Sequence, residues 1–182
     1  MVVFRCGSKD VVTSMKPTIP DPNHDHRQCV DQAIAVANRI CRQNKTRFTK
    51  LRRRVLELIW TSHEPVGAYG VLALMNAETE GNVAPMTVYR AIDFLIENRL
   101  VHRIASRNAY VGCSHPDSPH AGQLIICNDC GRVGEILEDT ITKAVAAGAE
   151  RVGFDGVSSV IEIQGRCHDC RELSDIQGNA GA

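Results

Sequence analysis

The sequence predicts an α+β protein in two parts, a winged helix followed by a small α/β unit. Three observations carry that prediction. Between positions 30 and 98, four successive segments repeat apolar residues at helical spacing. Two short strand-like runs follow, at 100–105 and Ala109–Gly112; helices and then a hairpin is the order of a winged helix. From about Gln123 the pattern becomes strand, strand, helix, strand, and a C-x-x-C pair closes the first and the last of those strands.

The first helix, about 30–43, is read from Ile34, Ala37, Ile40 and Cys41, with Cys29 just ahead of it. The second starts behind Thr49, whose hydroxyl suits an N-cap, and reaches about Ser62 on a stripe of Val55, Leu56, Ile59 and Trp60. Pro65 and Gly67 end that turn. The third, about Ala68–Glu78, carries Val71, Leu72, Leu74 and Met75, and Gly81 breaks the chain. The fourth opens at Pro85, which lacks the N–H that a first turn leaves unpaired anyway. It places Val88, Ile92, Leu95 and Ile96 inward, Thr87, Arg90, Asp93 and Glu97 outward, and Tyr89 on the flank. Ser106, Arg107 and Asn108 turn the hairpin. In the second part the strands are 124–127, 133–137 and 157–165, with a helix over 138–153. Residues 1–27, with Pro17, Pro20 and Pro22, read as a flexible tail, and so do residues 174–182. The resulting limits are 28–112 for the winged helix, 113–122 for a hinge loop and 123–173 for the α/β unit.

The cysteine pairs are Cys127-Asn128-Asp129-Cys130, followed by Gly131, and Cys167-His168-Asp169-Cys170. One C-x-x-C at a turn aims two sulfurs at one point; two such pairs make a tetrahedral sulfur cage suited to a structural zinc ion. The 36 residues between Cys130 and Cys167 leave room for a whole structural unit between the knuckles. A redox pair and two disulfides are the competing readings. A thioredoxin-type pair opens a helix after a strand and acts alone, whereas both pairs here are read at strand ends.

Composition narrows the class. The chain has 182 residues, enough for one or two small domains, with 43% hydrophobic and 4% aromatic residues. It shows no apolar run long enough for a membrane span or a signal peptide, so a cytoplasmic protein is expected. In a reducing compartment eight cysteines argue for metal before disulfides. Net charge is zero, but residues 28–105 hold 11 Lys/Arg against 7 Asp/Glu and residues 106–182 hold 6 against 11. A basic half joined to an acidic half suits a nucleic-acid-binding head on a different kind of body.

In a winged helix the recognition helix enters the major groove. The candidate here begins Pro85-Met86-Thr87-Val88-Tyr89-Arg90. Arginine can bond guanine O6 and N7 together, and Tyr and Thr can touch thymine methyls or phosphates. Lys50 and Arg52, Arg53 and Arg54 are candidates for phosphate contacts, which position a protein without reading sequence. Ordinary helix-surface roles are the alternative for all of them.

At this point the chain resembles the ferric uptake regulator family of metal-sensing repressors, and within it the zinc uptake regulator branch. The matching residues are Thr49-x-x-Arg52-x-x-Val55-Leu56, then Thr87-Val88-Tyr89-Arg90-Ala91 with Phe94-Leu95, then His102, and then the paired knuckles. They span about residues 30–173 in the family's order. The resemblance implies homodimers with a C-terminal dimerisation domain that bind palindromic, AT-rich double-stranded DNA operators when metal-loaded. It adds Tyr69 to the DNA-contacting positions and matches Tyr89 and Arg90 to the recognition motif. It also implies a second, regulatory zinc site of His102, Cys113, His120 and Glu135, hence two Zn(2+) per chain. Such a shell leaves no open position for catalysis, and the Cys113 thiolate favours zinc over Fe(II) or Mn(II). His115 is the rival to His120. The histidine run of iron- and manganese-sensing relatives is thinned here to His115-Pro116-Asp117-Ser118-Pro119-His120. Asp117 and Glu162 are further carboxylates that could serve another metal.

Three alternatives remain open at this point. An iron, manganese or peroxide sensor of the same family would use a different ligand set. A thiol–disulfide oxidoreductase would use the C-x-x-C pairs catalytically. A DNA-binding protein with only structural zinc would bind its operator regardless of chelator.

Overall fold

In the computed structural model the described residues are 25–62, 64–78, 82–117, 120, 122–155 and 159–179. They fall into two compact units, one running to position 119 and the other beginning at His120. The expectations for residues 1–24, Gly81 and residues 180–182 lie outside the described residues.

The first unit contains α1 (His26–Gln43), α2 (Lys50–Ile59), α3 (Ala68–Glu78), α4 (Pro85–Glu97), β1 (Val101–Ile104) and β2 (Ala109–Gly112). Helix α1 starts earlier than its apolar repeat because Asp25 caps it, its carboxylate accepting from the Arg27 amide at 3.0 Å. His26 and Arg27, assigned to the tail from sequence, are therefore helical. Thr49 caps α2 by accepting from the Arg52 amide at 3.3 Å. The four helices bury Ile34, Ala37, Val55, Ile59, Val71, Val88, Ile92 and Leu95 in one core. Leu56, Ile59, Ile92 and Leu95 are each at most 1% exposed, worth about 1.5–3 kcal/mol apiece in area removed from water. Leu74, placed on the apolar stripe from sequence, is 44% exposed, because α3 is apolar nearly all round and only one side meets the core. The wing is antiparallel, with His102 opposite Val111. Asn108 takes the left-handed conformation at its tip (φ 46°), which asparagine tolerates better than most residues. Val66 adds a bridge to Tyr110.

The second unit contains β3 (Gly122–Cys127), β4 (Val133–Ile136), α5 (Asp139–Arg151), β5 (Val160–Gly165) and α6 (His168–Asn179). The sheet order is β4-β3-β5, with β4 antiparallel and β5 parallel to the central β3. A parallel pair requires a crossover, and α5 lies in it. Buried Gln123 ties α5 to the sheet by donating to Glu138 O at 2.9 Å and Thr142 Oγ1 at 2.8 Å. Helix α5 nevertheless buries no residue in the single chain. Helix α6 carries the backbone of 174–179 as far as Asn179, where the sequence pattern announces no element. The Gly/Ala-rich composition hid it, and the chain reversal at the second knuckle starts it.

Candidate metal centres and nucleic-acid face

The two knuckles meet because β3 and β5 run in parallel and end together: Cys127 is registered with Gly165, and the Asn128 amide donates to Gly165 O at 2.7 Å. Gly131 closes the first knuckle in the left-handed region (φ 76°), where a side chain is strained. Its amide donates to Cys127 O at 3.1 Å. The second pair differs from its sequence reading. Cys167 lies between β5 and α6, and Cys170 is in the first turn of α6.

The sulfurs of Cys127 and Cys170 are 3.8 Å apart, as are those of Cys130 and Cys167. All four lie within 4.8 Å of one another. Disulfides among these four are excluded, since a covalent S–S bond is about 2.05 Å. A tetrahedron with metal–sulfur bonds of about 2.3 Å has edges of about 3.8 Å, so the cage fits zinc. The four thiols are not equivalent. Burial works against ionising Cys127, but backbone N–H donors from Cys130, Cys167 and Asp129 prevail and bring it down to about 6. The Cys170 thiol, hydrogen-bonded to Cys167 and partly desolvated, is pushed up to about 12. Four thiolates this close need a dication to coexist.

Around the sulfurs stand charged residues the sequence reading did not single out. Arg132 Nε donates to Cys130 Sγ at 3.3 Å, and its Nη2 donates to Asp169 Oδ2 at 2.8 Å. Arg166 Nε donates to Asp129 Oδ2 at 2.5 Å. A sequence signal existed, since both knuckles read C-x-D-C with an arginine alongside.

The residues of the second expected metal set form two pairs, one in each unit. In the first unit, His102 on β1 and Cys113 just beyond β2 bring ligand atoms within 4.8 Å of each other. The Cys113 amide donates to Leu100 O at 3.0 Å, which holds the residue beside β1. In the second unit, His120 Nε2 is 2.7 Å from Glu135 Oε1 on β4. His115 belongs to neither pair, and the Asp117 carboxylate accepts from Arg39 Nη2 at 2.6 Å.

On the first unit's outer face Tyr69 is 72% exposed. Its ring meets that of Tyr89 edge-on, centroids 6.4 Å apart at 88°. Partial burial, together with the neighbouring Tyr69, raises the Tyr89 phenol above its ordinary range. Thr87 and Arg90 are exposed one turn apart on α4. The arginines of α2 are otherwise engaged. The Arg52 guanidinium lies 3.5 Å over the Phe94 ring and donates to Arg47 O. Arg53 and Arg54 bind Glu57 at 2.9 and 2.8 Å, and Arg54 also binds Glu78 at 2.7 Å. Glu57 lies three or four residues along the same helix, and Glu78 and Phe94 lie on other helices of the same unit, so these arginines also serve the fold.

Comparison with known proteins follows the same outline. Residues 43–164 match the model of the ferric uptake regulator family. The zinc uptake regulation protein of Escherichia coli K12 is 37% identical over 143 residues, 78% of this chain and 83% of the relative. A solved zinc uptake regulator in complex with zinc and DNA superposes with a TM-score of 0.75 at 36% identity, covering 80% of this chain and 97% of that one. The structure of holo XcZur gives a TM-score of 0.72 at 33% identity over 78% and 99% of the two chains.

Proposed function

The chain belongs to the ferric uptake regulator family, and we propose that it is a zinc-responsive transcriptional regulator. In this reading it represses zinc uptake genes by binding a palindromic, AT-rich operator as a zinc-loaded homodimer. The carrying observation is the pairing of the Cys113 thiol with His102 on the wing strand. A thiolate in the sensing set selects zinc over Fe(II) or Mn(II), which favours a zinc sensor over an iron, manganese or peroxide sensor.

Two zinc ions per chain are proposed. Cys127, Cys130, Cys167 and Cys170 hold the structural one, and their sulfur spacing supports this. His102, Cys113, His120 and Glu135 are the proposed ligands of the regulatory one. When bound, zinc supplies two positive charges and a tetrahedral preference that the four ligands satisfy together. His102 and Cys113 would hold the metal beside the wing, and His120 and Glu135 would complete its shell. Two recognition helices of one dimer would then keep the separation of successive major grooves, about 34 Å. Zinc and operator binding are thereby coupled and reciprocal, typically by about 1–3 kcal/mol.

Tyr69, Thr87, Tyr89 and Arg90 would read the DNA, with Arg90 reaching base edges. Arg52 would steady α4 through Phe94 rather than touch phosphate. The second unit would dimerise. Val145 and Phe154 are 41% and 67% exposed, and α5 has no buried residue without a partner. No helix among the described residues is long and apolar enough to cross a membrane. A thiol–disulfide oxidoreductase is disfavoured because each knuckle's sulfurs face those of the other at cage spacing rather than standing alone.

The test counts zinc per purified chain before and after mild chelation, with operator binding measured on both samples. Two zinc ions falling to one, with operator binding lost together with the second, supports the reading. Tight operator binding that survives chelation sinks the regulatory site.

A further inference from the structure

Each knuckle carries an aspartate in its third place, Asp129 in the first and Asp169 in the second, and an arginine lies beside each, Arg132 and Arg166. Their ion pairs are crossed. Arg132, next to the first knuckle, binds Asp169 of the second at 2.8 Å, and Arg166, next to the second, binds Asp129 of the first at 2.5 Å. The two arms are unequal. Arg166 and Asp129 are 48% and 39% exposed, where water screens an ion pair and little stability comes of it. The Arg132 side chain is 11% exposed and its partner Asp169 60%, so that ion pair is screened too and the difference lies in what Arg132 itself reaches. It also places Nε 3.3 Å from Cys130 Sγ and Nη2 3.6 Å from Cys167 Sγ, one sulfur from each knuckle.

We propose that Arg132 is a positioning and charge-compensating residue of the four-cysteine zinc site, held in place by Asp169, while Arg166–Asp129 is only an outer tie. The inference rests on the reading of the four cysteines as a zinc site. Four thiolates around one dication leave two negative charges in a half-buried place. N–H···S bonds from a guanidinium draw charge from the two sulfurs they reach, so those sulfurs react more slowly with electrophiles and keep their metal longer. Lysine cannot substitute fully, because only the rigid fork of arginine offers N–H groups toward two sulfurs and a carboxylate together. Groups that hydrogen-bond metal ligands commonly change metal affinity about 10–100-fold when removed.

The test uses the full chain with Cys113→Ser, so that sulfur ligation comes from the knuckles alone. Cobalt(II) loading gives a thiolate-to-metal absorption whose energy rises when the sulfurs accept hydrogen bonds. Absence of that band in the protein with Arg132 intact overturns the zinc-site reading itself, separately from anything the variants show. With the band present, Arg132→Met is expected to move it to lower energy. The same change should speed iodoacetamide alkylation of Cys130 and Cys167 in the zinc-loaded protein at least tenfold, followed by peptide mass spectrometry. Arg132→Lys and Asp169→Asn should fall between these values and those of the parent, and they carry the comparison if Arg132→Met does not fold. Arg166→Met should leave the band in place. An unmoved band and rate in the Arg132 and Asp169 variants, or an equal shift in Arg166→Met, overturns the proposal.

Discussion

Trp60, the chain's one tryptophan, covers Gly112 so closely that a β-carbon there would come within 2.1 Å of the indole. Gly112 ends the wing, opposite Val101, and the next residue is Cys113. The Gly112→Ala change therefore pushes either the indole out of its seat or the end of β2 away from β1. Overpacking of this kind costs about 1–3 kcal/mol. The expected outcome is a lower melting temperature for the first unit, a shifted Trp60 emission, and weaker zinc binding at the second site. An unchanged melting curve would show that the wing end yields freely.

Cys113→Ser should leave a folded dimer that binds one zinc ion per chain instead of two. Its operator affinity should be low and should no longer respond to added zinc. Elemental analysis and a zinc titration of operator binding check this together.

Cys127→Ser acts on a different level. Structural zinc bound by cysteines contributes folding free energy directly, so this variant should lose the structure of the second unit and with it the dimer. Circular dichroism and sedimentation measure the two losses. A stable zinc-free dimer would refute the structural assignment.

Acid should weaken the first unit through Glu57. Burial alone would raise its pKa, but the bonds from Arg53 and Arg54 outweigh burial and hold it below the ordinary carboxylate value. A carboxylate depressed in the folded state stabilises above its unfolded pKa, about 4.3, and that contribution is lost as pH falls through the lower folded value. Glu57→Gln should cost about 1 kcal/mol at pH 7 and flatten the loss of stability on acidification. Urea denaturation at pH 7 and in the carboxylate range gives both numbers.

Arg90→Ala should reduce operator affinity by about 1–3 kcal/mol and relax discrimination at a single base position. Competition between the operator and single-base variants of it separates this from a phosphate contact, whose loss would weaken all sequences alike.

Much of the fold was legible because local chemistry decides it. Thr49 and Pro85 mark the starts of α2 and α4 where the sequence places them, since capping and a missing N–H act within one turn. Asn108 marks the wing tip for the same reason. What escaped the sequence depends on groups distant along the chain. Nothing near Arg52 in the sequence announces that Phe94, 42 positions later, comes to lie under its guanidinium. The crossed arginine–aspartate pairs could not be foreseen before the parallel register of β3 and β5 was known. The cysteine spacing announced a metal but not which group steadies it. The His102–Cys113 and His120–Glu135 pairs were reached through family resemblance, because neither histidine stands out in its own segment.

The parallel register also sets a timetable. Cys167 and Cys170 come after β5, so a chain emerging from the ribosome presents half a cage until β5 and the first turn of α6 are out. Until then Cys127 and Cys130 are an open dithiol, able to be oxidised or to trap a passing metal on their own. Completion of the four-cysteine cage is thus a late event of synthesis, and a chain cut short before Cys167 carries only half of it.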